Sequence, residues 1–250
     1  MDKTPAITVS ALQNMKREGR KIVGVVAWDY QMAQIADRAG VEIVSVGDSV
    51  GMNLWGHPTE TEVTLEELLI VCKAVRRGVK RALVSCDIPF GPVQQGAEAA
   101  ANAAVRLARE GGADMVKFYG EPDTVRAIVR AGVPVFAEFH GSEVPAEKLV
   151  EEAKRLEDAG ASLLDFRHSG PQAGPTVVRA VRIPVIGGLG GGPWLDGRMR
   201  MANAAIGYAA SGIDSKTETY ANVARISLDA LAAYAEDVRA GRHLKGQRPA

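Results

Sequence analysis

The sequence lacks the features typical of secreted, membrane-spanning and nucleic-acid-binding proteins. No apolar run reaches the length that spans a bilayer, and the first twenty residues lack the apolar core of a secretory signal. Thirty lysines and arginines balance 30 aspartates and glutamates, so no net positive charge attracts nucleic acid or anionic lipid. We therefore predict a cytoplasmic protein that binds neither nucleic acid nor a membrane.

Cysteine is also scarce, with two in 250 residues, which excludes a disulfide-rich scaffold. Cys72 falls in a predicted helix and Cys86 in a predicted strand. We expect both to be free, buried thiols in a reducing compartment; a disulfide between them is the less favoured alternative.

What the chain does contain is a repeating unit in which a helix ends in glycine, an apolar strand follows, and a polar loop closes the unit. The predicted helix-ending glycines are Gly40, Gly112, Gly132 and Gly160. Thr64 with Glu67 three residues later predicts a capping box at the start of a helix that runs to about Arg77, and a long C-terminal helix is predicted over Tyr220–Arg239. The predicted strands are Lys21–Ala27, Ile43–Val46, Ala82–Cys86, Met115–Phe118, Val133–Phe139, Ser162–Phe166 and Pro184–Gly187, with a weak eighth near Met199–Met201.

Alternating strands and helices indicate parallel pairing through right-handed crossovers. With 250 residues the chain has the typical size of a (β/α)8 TIM barrel, and 46% hydrophobic residues is ordinary for a globular domain. We predict a single barrel domain over residues 1–250, with a short N-terminal helix and a loose polar tail from Gly241 to Ala250. An open doubly wound sheet is the alternative, but no Gly-x-Gly-x-x-Gly follows the first strand.

Two aspartates follow apolar strands, Asp48 after 41–47 and Asp87 after 82–86. In a parallel barrel the ends of the strands share the rim where active sites lie. Two carboxylates from neighbouring strands are suitable ligands for a divalent cation such as Mg²⁺. The alternative is that each aspartate caps the helix after it.

Several motifs then occur in the order and spacing of one known family. They are Val46–Met52, Val63–Glu67, Lys73–Gly78, Arg81–Val84 with Asp87–Phe90, Glu110–Asp114 with Val116–Lys117, Ile183–Gly187 and Tyr220–Gly241. In these motifs the chain resembles the ketopantoate hydroxymethyltransferase family over nearly its whole length. The resemblance implies the barrel of the phosphoenolpyruvate mutase and isocitrate lyase superfamily, bound Mg²⁺, a 2-oxo acid substrate and a homo-oligomer.

The resemblance also implies residue roles. The family transfers a one-carbon unit from methylenetetrahydrofolate to the carbon next to the keto group of 2-oxoisovalerate. Asp48 and Asp87 match its metal carboxylates, directly or through water; Ser49 matches a substrate-contacting hydroxyl, and Lys117 a lysine that contacts the bound acid. A cation there stabilises the enolate that forms when a base removes the neighbouring proton.

Three functional positions depart from the family pattern. Tyr119 stands where the family has a glutamate near the metal, and Glu138 stands where it has a histidine. Arg167 replaces the glutamate that supplies the base, and arginine is no base at neutral pH because its pKa stays above about 12. The run at 58–62 also differs, so the metal pair is retained while the proton-transfer and folate-facing positions are not.

The replacing residues have several interpretations. Glu138 lies in an apolar run and needs a cation, which is either the metal or substrate site or an ion pair with Arg167 or Lys117. Arg167 suits bidentate binding of a carboxylate or phosphate, or a structural pair with Glu138 or Asp165. Tyr119 either donates to an enolate or fills volume.

Loop residues complete the candidate site. His140 and His168 both follow strand ends, and either could replace the lost base. Gly187–Gly192 either binds an anion through its amides or is merely flexible. Trp194 after this run is the best candidate for a lid residue, ahead of Trp55 and His57.

These observations favour a Mg²⁺-dependent enzyme that makes or breaks a carbon–carbon bond next to a 2-oxo acid, divergent from the family. Its substrate would be a 2-oxo acid or a dicarboxylate, with Arg167 holding a second anionic group. The alternative is true hydroxymethyl transfer from methylenetetrahydrofolate with the base moved to His168 or Glu138. A non-catalytic relative is less favoured because the metal carboxylates are present.

Overall fold

The protein contains a closed barrel of eight parallel strands in a computed structural model that describes residues 5–141, 144–188 and 190–246. The strands are β1 Ile22–Val26, β2 Ile43–Val46, β3 Leu83–Asp87, β4 Met115–Tyr119, β5 Val135–His140, β6 Leu163–Arg167, β7 Val185–Gly187 and β8 Gly197–Met201. Each strand pairs in parallel with the next along the chain. The predicted (β/α)8 barrel is confirmed, including its weak eighth strand.

Helices precede the first strand, connect successive strands and follow the last one. They are α1 Val9–Arg17, α2 Tyr30–Ala39, α3 Leu65–Gly78, α4 Phe90–Gln94, α5 Ala97–Arg106, α6 Pro122–Arg130, α7 Ala146–Asp158, α8 Ala173–Ala180, α9 Ala202–Ile206 and α10 Val223–Arg239. Short π-helical turns cover Gly51–Trp55 and Leu107–Gly111, and 3-10 turns cover Glu60–Glu62 and Ala210–Gly212. No described helix is long and apolar enough to cross a membrane.

Local sequence signals set several helix ends. Thr64 accepts the Glu67 amide at 3.2 Å, and the Glu67 carboxylate accepts the Thr64 amide at 2.8 Å, which forms the predicted capping box. Gly40, Gly112, Gly132 and Gly160 all have positive φ, as the helix-stop pattern requires. The last helix begins at Val223 rather than Tyr220, because the Asn222 side chain caps it.

The interior of the barrel is apolar at the end where the strands begin. Two residues of α1, Leu12 and Met15, pack there against the first inward-facing residues of the strands. The other members of this cluster are Ile22, Ile43, Leu83, Met115, Phe136, Leu163, Ile186 and Met199. A second, larger apolar cluster joins the outward faces of the strands to the helices and contains both Cys72 and Cys86, which are free as predicted.

The backbone divides into two compact units, one ending at Arg200 and the other beginning at Met201. In the second unit the Ala224 amide donates to the Gly207 carbonyl, and the Tyr220 amide donates to the Ala205 carbonyl. The single-domain assignment for 1–250 stays a prediction. The predicted loose tail is described only as far as Gly246, where most of its residues are exposed, and residues 247–250 lie outside the described part.

Candidate active site

Ionisable side chains fill the barrel interior where the strands end. Alternate residues of a strand share a face. In each strand that begins with an inward apolar residue, the residues two and four positions later therefore also point inward, and they lie nearer the rim. In β3 to β6 these positions carry Asp87, Lys117, Glu138, Asp165 and Arg167. All but the half-buried Arg167 are less than a tenth exposed.

The two candidate metal ligands, Asp48 and Asp87, are neighbours: Asp48 lies in the turn after β2, and Asp87 ends β3. The backbone amide of Asp48 donates to Oδ2 of Asp87 at 3.3 Å. The other oxygen of Asp87, Oδ1, is buried and has no hydrogen-bond partner in the described structure. Such an oxygen is costly to leave unsatisfied, and it is the hard donor that Mg²⁺ prefers.

Both carboxyl groups titrate above their ordinary range. Burial raises the pKa of Asp87 to about 8, with Asp48 and Glu138 adding to the rise and Lys117 opposing it. Burial and the nearby Glu60 raise the pKa of Asp48. Lys117 therefore does not supply enough positive charge to stabilise both ionised carboxylates, which fits a site for a bound cation.

The protein offers a partial ligand set for such a cation. Within the described residues, no three His, Cys, Asp or Glu side chains form a cluster that could hold a metal ion. Mg²⁺ commonly binds one or two carboxylates and takes its remaining oxygens from water and substrate. Asp48 and Asp87 are compatible with this mode, and their metal role stays a prediction.

Lys117 is a buried ammonium surrounded by three carboxylates. Its Nζ lies 2.5 Å from Glu138 Oε2, 3.4 Å from Asp165 Oδ2 and 3.9 Å from Asp87 Oδ2. Burial alone would lower the pKa of Lys117, but Asp87, Asp165 and Glu138 together raise it. Lys117 is therefore a fixed positive charge at neutral pH.

Glu138 links the charged side chains of neighbouring strands. Its Oε2 accepts from Lys117, while its Oε1 accepts from Arg167 Nη1 at 2.7 Å and contacts His140 Nε2 at 3.0 Å. Burial opposes ionisation, but Lys117 and Arg167 outweigh it and lower the pKa of Glu138 to about 2. Both predicted ion pairs are present, so both oxygens are already occupied; the alternative metal role of Glu138 stays a prediction.

The charges of this cluster do not balance. Four carboxylates surround two cations within the site, so the fully ionised cluster carries a net charge of about −2. Its members are Asp48, Asp87, Glu138, Asp165, Lys117 and Arg167. A divalent cation would bring this cluster to neutrality, which is a second reason why the site suits Mg²⁺.

The remaining predicted residues lie at the rim. Tyr119 is 62% exposed, and its ring meets that of His140 edge to face at 5.1 Å between centroids. The rings of His140 and His168 are 6.2 Å apart. Ser49 follows Asp48 in the turn after β2 and is half-buried. The structure thus brings all the predicted rim residues to the same end of the barrel.

A cavity of about 430 Å³ opens outward from Glu138 and His140. It runs between the loop after β4 and helix α7, and neither Asp48 nor Asp87 lines it. Its lining residues are Tyr119, Gly120, Glu121, Glu138, Phe139, His140, Val144, Lys148, Leu149, Glu151, Glu152 and Arg155. The cavity is large enough for a small molecule next to the charged cluster.

The predicted lid and glycine loop make contacts within the protein. Trp194 Nε1 donates to Ser169 Oγ at 2.9 Å, which holds the indole against the loop after β6. The Gly188 amide donates to Asp165 Oδ1 at 3.0 Å, so one anion it binds is a carboxylate of the protein. His57 instead contacts Glu67 at 3.0 Å. Leu189 lies outside the described residues, and the lid role stays a prediction.

Asp165 is the site residue that sequence reasoning considered only as a partner of Arg167. It is 3% exposed, and burial raises its pKa despite the neighbouring Lys117. The sequence contained a signal for its inward position, because alternation places Leu163, Asp165 and Arg167 on one face of β6. A carboxylate between two apolar neighbours on that strand had to point into the charged interior.

Comparison with known proteins assigns the family. The family model for ketopantoate hydroxymethyltransferase matches residues 6–141 and 139–244. The chain is 35% identical to a 3-methyl-2-oxobutanoate hydroxymethyltransferase of Cyanothece sp., covering 93% of this chain and 96% of that one. It is 33% identical to the enzyme of the same name from Rippkaea orientalis, covering 94% and 98%.

Solved structures with the same fold have much lower identity. A 2,3-dimethylmalate lyase, described as a member of the PEP mutase/isocitrate lyase superfamily, aligns with TM-score 0.64 at 15% identity, covering 98% of this chain and 93% of that one. A phosphonopyruvate hydrolase solved with oxalate and Mg²⁺ aligns with TM-score 0.63 at 14% identity, covering 98% and 92%. The family match and the two relatives together show that this chain belongs to the ketopantoate hydroxymethyltransferase family of enzymes.

Proposed function

We propose that the protein is a Mg²⁺-dependent enzyme that makes or breaks a carbon–carbon bond next to the keto group of a 2-oxo acid, by a reaction changed from that of its relatives. The observation that carries this proposal is the Arg167–Glu138 ion pair beside an intact Asp48–Asp87 pair. A guanidinium occupies the position where the family resemblance expects a catalytic carboxylate.

Asp48 and Asp87 would hold the cation, since they supply an unpartnered buried oxygen and since the raised pKa of each carboxyl group means that its ionised form needs a positive charge nearby. The bound cation would supply a Lewis acid that favours negative charge on the keto oxygen of the substrate. Asp48 and Asp87 would otherwise repel an anionic substrate, so a bound cation also permits its approach.

Lys117 and Arg167 attract the anionic groups of the substrate. Lys117 is held in place by Glu138 and Asp165, so its charge needs no rearrangement when substrate arrives. Arg167 uses Nη1 for Glu138 and is half-buried, which leaves other N–H groups for a second anionic group. A dicarboxylate or phosphorylated 2-oxo acid would use both cations.

The second candidate is hydroxymethyl transfer from methylenetetrahydrofolate, with a relocated base. The names and 33–35% identities of the relatives favour it. Against it stand Arg167, Tyr119 and Glu138 at the three positions where the resemblance expects other residues. Cytoplasmic location and homo-oligomeric assembly accompany both proposals as untested predictions.

Hydrogen–deuterium exchange next to the keto group tests the proposal. We expect purified protein with Mg²⁺ to exchange oxaloacetate or 2-oxoglutarate faster than 2-oxoisovalerate, and to form no hydroxymethyl product from 2-oxoisovalerate and methylenetetrahydrofolate. A hydroxymethyl product at a useful rate would establish the second candidate instead. No exchange and no Mg²⁺-dependent thermal shift with any of these acids would leave a non-catalytic relative.

A double variant makes the test specific to the changed positions. Glu138→His with Arg167→Glu restores the residue types that the resemblance expects. If the divergence lies there, we expect this variant to gain exchange of 2-oxoisovalerate and to lose its preference for dicarboxylates. The single variant Arg167→Lys is the matched control, because it keeps the charge but not the planar fork.

A further inference from the structure

His168 has a backbone conformation that side chains rarely adopt. It directly follows β6 and has φ of 52°, the one positive φ at a non-glycine position among the described residues. This left-handed conformation is strained for a residue that has a side chain, and such strain concentrates at functional sites where the surroundings enforce it. The strain at His168 therefore suggests that its side chain is placed for a purpose.

The left-handed turn changes the side to which this residue faces. Strict alternation along the strand would place position 168 with Leu164 and Phe166, on the outward face. Its ring centroid instead lies 6.2 Å from that of His140, whose Nε2 contacts the inward-facing Glu138. The imidazole of His168 is thus brought to the rim of the charged interior.

The glycine loop after β7 makes room for this ring. A Cβ atom added at Gly190 would lie 2.8 Å from Nδ1 of His168 and 3.0 Å from its Cα. Gly190 itself has φ of 67°, so two left-handed residues face each other. Since Nδ1 lies against this loop, Nε2 is the ring nitrogen that is left for a substrate.

Other candidate bases at the rim are already engaged. Arg167 and Lys117 are cations, and Glu138 accepts from both of them. His140 uses Nε2 for Glu138. His168 is exposed, and within the part of the chain that the structure describes no residue forms a hydrogen bond or ion pair with its ring.

We propose that His168 is the general base of the reaction, an inference that rests on the proposed function. In this step Nε2 takes the proton from the carbon next to the keto group, and the C–H electron pair stays on the substrate as the enolate. The imidazolium then swaps this proton for a deuteron from solvent and returns the deuteron to the same carbon, which restores the keto group and completes the exchange that is measured. The lost carboxylate at position 167 is thereby replaced by the next residue of the chain.

The charged and titratable groups that face this imidazole set the pH dependence. They are Arg167 on its own strand, and His140 and Glu138 on β5; the loop after β7 contributes Gly190, which is uncharged. A general base acts only in its unprotonated form, so exchange by the wild type should rise with pH, and this rise should be lost with the base in the variants.

Two substitutions separate catalysis from backbone strain. His168→Gly and His168→Asn both tolerate positive φ, so each removes the base without adding strain. We expect the wild-type protein with Mg²⁺ to exchange a dicarboxylic 2-oxo acid, and each variant to exchange it at least 100-fold more slowly. Added imidazole should restore exchange in His168→Gly but not in the bulkier Asn variant. The exposed His243→Asn is the matched control.

The rise in melting temperature with Mg²⁺ and oxaloacetate reports binding rather than proton transfer. Both His168 variants should keep this rise. Wild-type exchange rates in His168→Gly, or a loss that imidazole does not restore, would overturn the inference while leaving the proposed function intact. Absence of exchange in the wild type would overturn the proposed function and this inference together.

Discussion

The two ends of the barrel interior are built by the same strands and have opposite character. Within β4, β5 and β6 the first inward residues, Met115, Phe136 and Leu163, pack in an apolar cluster with α1. Two residues further along, the same faces carry Lys117, Glu138 and Asp165. A distance of two residues, about 7 Å, separates the hydrophobic layer from the buried charges.

The comparison shows how one interior provides both stability and a reactive site. The apolar end needs no external partner, because its side chains satisfy one another by packing. The charged end has more carboxylates than cations and an unpartnered oxygen on Asp87, which is why we propose that a bound cation completes it. Substitutions at the apolar end should therefore lower the unfolding free energy, whereas those at the charged end should reduce exchange and the Mg²⁺-dependent thermal shift.

The largest effect should follow Asp87→Asn. We expect exchange to fall roughly 100- to 1,000-fold, because a charged ligand for the cation is lost. The Mg²⁺-dependent thermal shift should disappear while the metal-free protein keeps its melting temperature. A variant that retains the full Mg²⁺ shift would show that this carboxylate does not bind the cation.

The metal-free protein gives a second readout at the same residue. The pKa of Asp87 is about 8 in the folded protein, above its ordinary value. Its contribution to stability is therefore present at low pH and is lost as pH rises towards 8. Chemical denaturation in EDTA should show this decline between about pH 4 and 8 in the wild type and a flatter profile in Asp87→Asn.

At the opposite end, Phe136→Ala should cost about 3–5 kcal/mol of unfolding free energy, because it leaves a cavity in the apolar cluster. Denaturant titration measures this loss. The Mg²⁺-dependent thermal shift should persist, since Phe136 lies in the apolar layer where the strands begin and not among the charged side chains where they end. Loss of both properties at once would show that the two ends are not independent.

Glu138→Gln tests whether a side chain of the charged end also contributes to stability. Removing this carboxylate leaves Lys117 and Arg167 without their shared partner, which should cost on the order of 3 kcal/mol. Because the pKa of Glu138 is lowered to about 2, its contribution is present above the ordinary glutamate range and is lost as pH falls towards 2. Denaturant titrations at several pH values should therefore show the wild type losing unfolding free energy between about pH 4.5 and 2. Glu138→Gln should lack this loss, and an equal loss in the variant would contradict the prediction.

The smallest effect should follow Thr64→Ala, which removes the capping box at the start of α3. We expect a loss of about 1 kcal/mol in unfolding free energy and unchanged exchange. This variant calibrates the others, because it shows whether a modest loss of stability by itself reduces activity. Reduced exchange here would weaken the interpretation of every other variant.

Local sequence patterns predicted the bounds of strands and helices well where residues close in sequence set those bounds. The bounds of β2 were predicted correctly, and the Thr64–Glu67 box marks the start of α3. The start of α10 was placed too early because Asn222, rather than the aromatic Tyr220, supplies the cap. The prediction for Glu138 stayed open, since its partner Lys117 is 21 residues away and only strand pairing brings them together.

The sequence by itself determined the barrel and the rim positions of Asp48, Asp87 and Lys117, because strand periodicity and glycine stops act over a few residues. Tertiary structure decided which charges meet: Glu138 with Lys117 and Arg167, as well as the unpartnered oxygen of Asp87. Such contacts depend on which residues face each other across neighbouring strands of the closed barrel, and these partners are far apart along the chain.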